Sequence, residues 1–167
     1  MRAAAAALAL LVAAPAFAED AKPCSKIGWP LGREFAAIAA ITGDTASGTV
    51  ATAAPPLAVR LKLAKGLALP GPSDKPTDSA LFAGYLALNA PAAGVYLVSL
   101  SSEAWIDVVQ DGHTIAPDLH AGDPNCPGLR KSVRFELTNK PATIQVSNEA
   151  EDHITLVVTP WYVKRKP

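Results

Sequence analysis

The segment from His113 to Asp123 brings two of the chain's three histidines together with the carboxylates of Asp118 and Asp123. Imidazole nitrogen and carboxylate oxygen suit zinc, copper or non-haem iron, and two histidines with one carboxylate leave positions open for oxygen. His113, Asp118, His120 and Asp123 are therefore the candidate metal ligands. The spacing from His113 to His120 matches no compact metal signature, so no cofactor is the primary expectation, with iron, copper or zinc as the alternative.

Aromatic chemistry is the second possibility. Trp29, Trp105, Trp161 and Tyr162 could offer a platform to a sugar or peptide, since their rings combine apolar area with a polar handle. Asp107 and Asp111 share one face of an extended strand, but a separation of ~13 Å is too large for a shared proton or a glycosidase pair. They are expected to face solvent or to sit in a turn. The sequence contains no G-x-S-x-G elbow, no H-E-x-x-H helix, no Walker loop and no C-x-x-C pair. A Ser-His-Asp triad needs only to meet in space, and nothing in the sequence singles one out.

Length and composition bound the scaffold that must position these residues. The chain has 167 residues, 15 Lys+Arg against 15 Asp+Glu, 15 prolines and 11 glycines. That is at most one ordinary domain, too rich in Pro and Gly for a helical bundle. Zero formal net charge removes the usual basis for nucleic-acid binding by a basic domain. The short basic run Lys164, Arg165 and Lys166 is expected to be a solvated tail.

Met1 and Arg2 precede an apolar run over residues 3–14, then Pro15 and the small-residue site Ala16, Phe17, Ala18. This is the pattern of a secretory signal peptide over residues 1–18, cleaved after Ala18. The run is too short to cross a ~30 Å hydrocarbon core, and no later stretch reaches the ~20 apolar residues a membrane helix needs. The expectation is an exported, periplasmic or secreted protein with no transmembrane segment after cleavage. In an oxidising compartment Cys24 and Cys126, the only two cysteines, are expected to form one disulfide.

Apolar residues then alternate with a period of two. Leu57, Val59, Leu61 and Leu63 share one face of a strand, as do Val133, Phe135 and Leu137, then Ile144 and Val146, then Ile154, Leu156 and Val158. Residues 81–88, 94–100 and 104–110 are apolar on both faces and read as inner strands. Asn139, Lys140 and Pro141 leave a short link that suits a hairpin. A helix of two or three turns is possible over residues 31–41, before Thr42, Gly43 and Asp44, and Pro70, Pro72 and Pro76 mark residues 67–78 as a loop. These patterns predict an all-β, antiparallel, jelly-roll-like β-sandwich of about seven to eight strands. Residues 19–56 are an N-terminal extension, 57–163 the sandwich domain and 164–167 the tail.

Residues 82–88, then Pro91 through Leu100, then Ala104 through Gly112 with its Asp-Gly ending, resemble the core of bacterial pre-peptidase C-terminal-type sandwich domains. Residues 141–159 are similar to their final hairpin. That resemblance spans about half the chain and implies accessory binding or secretion roles for an unidentified small molecule, glycan or protein. The whole chain is also similar to small exported bacterial proteins, some of which carry a homogentisate dioxygenase label. That label implies the alternative function, a metal-dependent oxidoreductase or a metal carrier using residues 113–123. True homogentisate dioxygenases are much longer cupin proteins with an iron-ligand context that this chain lacks.

Overall fold

The computed structural model describes residues 22–52, 54–89 and 91–161. The expected signal peptide and its Ala18 site, Tyr162 and the basic tail lie outside the described residues.

The described chain is mostly β, with one short helix. Helix α1 (Gly32–Ala39) is followed by β1 (Asp44–Thr45), β2 (Val50–Ala51), β3 (Leu57–Lys62), β4 (Ala64–Lys65), β5 (Phe82–Leu88) and β6 (Gly94–Leu100). Next come β7 (Trp105–Gln110), β8 (His113–Thr114), β9 (Leu119–Gly122), β10 (Lys131–Leu137), β11 (Ala142–Glu149) and β12 (His153–Pro160). The first sheet runs β1-β3-β12-β6-β10-β9, and the second runs β2-β5-β11-β7-β8 with β4 beside β5.

Alternation explains which face of each strand meets the other sheet. Val59 and Leu61, Val98 and Leu100, Val133 and Phe135, and Leu156 and Val158 turn inward from the first sheet. They meet Leu86, Leu88, Ile106, Val108, Ile144 and Val146 of the second sheet in one continuous core. Phe135, 1% exposed, is the largest fully buried side chain. At roughly 1.5–3 kcal/mol per fully buried aliphatic or aromatic side chain, this core is the main favourable term in the fold.

The structure corrects the expected sandwich in three ways. It has twelve strands among the described residues, because β1, β2, β4, β8 and β9 are only two to four residues long. Segments that short leave no periodic pattern to read. The sheets are mixed rather than purely antiparallel, since β1 pairs parallel to β3 and β2 parallel to β5. Residues 139–141 do not close a hairpin: β10 belongs to the first sheet and β11 to the second, and β12 then returns to the first. Residues 141–159 are therefore two strands of opposite sheets rather than a final hairpin.

Gln110, 4% exposed, fixes the first of these crossings. Its amide accepts from Thr138 N at 3.0 Å and donates to Lys140 O at 2.8 Å. A true hairpin does join β7 to β8, where Asp111 (φ 53°) and Gly112 (φ 76°) supply the two positive φ angles of a type I′ turn.

The first sheet is covered on its outer face as well. Helix α1 packs on β3 and β12, and Ile27, Leu31, Cys126, Leu129 and Val157 form a second, smaller core there. The Cys24–Cys126 disulfide closes this layer. Both cysteines are thus paired, as the sequence led one to expect.

Candidate functional site

The outer layer is not filled along its whole length. Between α1 and the first sheet lies a cavity of about 600 Å³ lined by Trp29, Pro30, Arg33, Glu34, Leu97, Thr159, Pro160 and Trp161. Thr159 on β12 and Leu97 on β6 are register partners and form its floor. Trp161, whose amide donates to Val95 O at 2.7 Å, is fixed at the end of β12. Trp29 arrives from the segment anchored by Cys24, and the two indoles meet edge to face at 5.6 Å. The Arg134 guanidinium lies 5.3 Å from the Trp161 ring centre, a cation–π contact.

The roof is a carboxylate. Leu31, Glu34, Ala37 and Ile38 follow helical spacing and make the stripe of α1 that faces the sheet, so Glu34 occupies a position that packing would give to an apolar residue. It is 2% exposed, and its Oε2 has no hydrogen-bond partner. Trp29 Nε1 and Thr159 Oγ1 are also buried and unpartnered. Each such group costs about 1–3 kcal/mol of lost solvation. The residues that bear three of the four orphaned buried side-chain atoms among the described residues line this one cavity; the fourth, Ser147 Oγ, is on the other sheet.

The histidine segment is arranged differently. His113 is on β8 at the edge of the second sheet, whereas His120 is on β9 at the edge of the first. Asp118 makes a two-point ion pair with Arg134 at 2.8 and 2.9 Å, and that hydrogen-bonded guanidinium holds its pKa below the ordinary carboxylate value. Asp123 accepts from Asn125 N at 2.9 Å and from Lys26 N at 3.1 Å, and these backbone donors likewise lower its pKa. Both carboxylates are thus committed to protein partners. Among the described residues no group of three or more His, Cys, Asp or Glu side chains lies together as a metal site requires.

Trp105 does not offer a bare ring. Lys75 Nζ lies 5.5 Å and Lys131 Nζ 5.3 Å from its ring centre, and its Nε1 donates to Asp107 at 3.0 Å. Burial lowers the pKa of Lys131, whose Nζ also donates to Ala104 O. Asp107, expected to face solvent, is 4% exposed and also accepts from Ser73 Oγ and Asp74 N. The correction has a physical cause: the loop over residues 67–78 folds onto the outer face of the second sheet and covers it. Asp111 is in the β7–β8 turn, paired with Lys140 at 2.6 Å.

Sequence reasoning thus reached Trp161 and Trp29 but not Glu34 or Thr159. The available signal was a single acidic residue between Leu31 and Ile38 on the apolar stripe of a helix. No family model, no curated protein and no solved structure matches the chain. No helix among the described residues is long and apolar enough to cross a membrane.

Proposed function

We propose that the protein is an exported binding module whose ligand site is the cavity between α1 and the first sheet. One observation carries this reading: Trp29, Glu34 and Thr159, three residues that each bear a buried polar atom without a hydrogen-bond partner, line one cavity of about 600 Å³. That volume is within the roughly 300–1,000 Å³ of small-molecule sites, and apolar walls with a few convergent polar groups are their usual composition. A stretch of helix that leaves a carboxylate unsatisfied at its buried face breaks a local rule, as functional positions do. Export is proposed from the residue 1–18 pattern, and the Cys24–Cys126 bond is compatible with an oxidising compartment. The resemblance to pre-peptidase C-terminal-type domains points to binding rather than catalysis.

The test exploits a trade-off between site and stability. If Glu34 waits for a ligand, Glu34→Leu removes an orphaned acceptor from an apolar stripe and raises stability by about 1–3 kcal/mol. Thermal unfolding of the disulfide-intact protein measures this. A less stable variant would show that Glu34 holds the fold together, and the site assignment would fall.

A further inference from the structure

We infer that the Cys24–Cys126 disulfide is a redox latch on the cavity: reduction by a dithiol releases the segment that carries Trp29 and opens the gap between α1 and the first sheet. The inference rests on the cavity being the binding site and adds its regulation.

The cavity is a joint between two bodies. Trp29, Pro30, Arg33 and Glu34 come from residues 22–39, a strap laid over the outer face of the first sheet, and the rest of the lining comes from β6, β12 and Trp161. One end of the strap is the disulfide. Beyond α1 the other end is β1, which pairs with β3 and whose Asp44 meets Arg60 at 3.5 Å and Lys62 at 3.6 Å. Movement at either end changes the cavity.

The disulfide end has few ties besides its covalent bond. The turn hydrogen bonds from Ser25 N to Lys22 O and from Ile27 N to Cys24 O lie within the strap and do not join it to the sheet. Lys26 N donates to Asp123 at 3.1 Å, and Ile27 and Leu31 enter the smaller core, while Lys22, Pro23, Ser25 and Lys26 are exposed. The bond spans a sequence separation of 102, so breaking it removes the constraint that keeps this end at high effective concentration beside Cys126. Neither cysteine belongs to the core between the sheets, so the sandwich does not need the bond for its packing.

Access selects where the reductant enters. Cys126 is 2% exposed, whereas Cys24 is half-buried and lines an open groove with Pro23, Phe35 and Pro127. A thiolate of the dithiol attacks Cys24 Sγ, the bond between the two Sγ atoms breaks, and Cys126 leaves as a thiolate that takes up a proton. The second thiol of the reductant then displaces Cys24, so the dithiol ends as a disulfide and both cysteines as thiols. Two electrons and two protons pass to the protein.

The disulfide-intact protein would be treated with dithiothreitol in the absence of denaturant, its free thiols alkylated with iodoacetamide and counted by intact mass, and the product given a brief tryptic digest. Two alkylated cysteines are expected, with cleavage after Lys26 and Arg33 about 10-fold faster than in the oxidised protein and no faster cleavage from β3 to β12. Reoxidation of unalkylated protein should restore the slow rate. Acrylamide quenching of tryptophan should rise on reduction, since two of the chain's three tryptophans line the cavity.

Absence of alkylation without denaturant overturns the latch, because Cys24 would then be no entry point. Two thiols with unchanged cleavage after Lys26 and Arg33 overturn it as well, since the strap would stay docked without the bond. Faster cleavage throughout β3 to β12 would show a bond needed by the whole fold, and unchanged quenching would place the movement away from the cavity; either ends the inference. None of these readouts involves a ligand. A latch that fails leaves the Glu34→Leu test of the site untouched, and a Glu34→Leu variant of lower stability removes the site while release of the strap can still be read.

Discussion

The indoles of Trp29 and Trp161 meet with their ring planes 89° apart, one carried by the segment after Cys24 and the other by the end of β12. Their contact depends on the outer layer being held against the first sheet, and two covalent or polar ties do that. One is the Cys24–Cys126 disulfide, and the other is the Asp123 carboxylate, which takes the Lys26 amide.

The disulfide should therefore control both stability and the cavity. Replacing Cys24 and Cys126 together by serine is expected to cost about 2–5 kcal/mol, since the bond closes a loop with a sequence separation of 102. Chemical denaturation measures the loss. Tryptophan emission of the still-folded variant should shift to the red as Trp29 leaves Trp161. An unshifted spectrum would mean that α1 docks without the bond.

Asp123 adds a pH dependence with a definite sign. Its folded pKa is depressed by the Asn125 and Lys26 amides, so its stabilising contribution is complete above the unfolded value of about 3.9 and is lost as pH falls through the lower folded value. Asp118, held by Arg134, behaves in the same sense. Below about pH 4 the wild type should lose thermal stability more steeply than Asp123→Asn, which carries no such charge. Parallel slopes for the two proteins would remove Asp123 as a clasp.

Phe135 and Arg134 are adjacent in β10 and should behave oppositely. Phe135→Ala empties the centre of the core and is expected to cost about 3–5 kcal/mol, whereas Arg134→Ala on the outer face should cost less than ~1. Denaturant unfolding of both variants measures the difference. The Arg134 variant should also change Trp161 emission, because the guanidinium over that ring is gone.

The same pair shows how far the sequence could be read. Period-two alternation places Phe135 inward and Arg134 outward whichever strands pair with β10, so the seven long strands and the core were legible. Alternation is blind to which sheet comes next, and that is why the crossing at residues 139–141 looked like a hairpin. The parallel edges made by β1 and β2 rest on two residues each, below any periodic signal. The cavity was half legible for a similar reason. Tryptophans are conspicuous anywhere, but one glutamate in the first turn of a helix ordinarily complements the helix dipole. Only the apolar neighbours at Leu31 and Ile38 mark Glu34 as buried.

The proline-rich loop over residues 67–78 supplies the last test. Its composition announces a loop, but its docking depends on side chains of β7 and β11, which composition does not reveal. Gln145, 1% exposed, donates Nε2 to Pro72 O at 2.9 Å and accepts Gly71 N at 2.7 Å. Beyond it, Asn148, in a left-handed conformation (φ 58°) within the β5–β11 register shift, accepts from Asp78 N and donates to Pro76 O. Both amides work as two-sided clamps on backbone that would otherwise compete for water. Gln145→Leu keeps the volume but leaves Gly71 N and Pro72 O without their partner, at about 1–3 kcal/mol. The two sheets do not depend on that contact for their core, so the loop should open before the sandwich does. Limited proteolysis should then cut within residues 67–78 in the variant much faster than in the wild type, with the remaining core intact. Equal cutting rates would show that the loop is held by its prolines and by the Asp107 and Asn148 contacts rather than by the glutamine clamp.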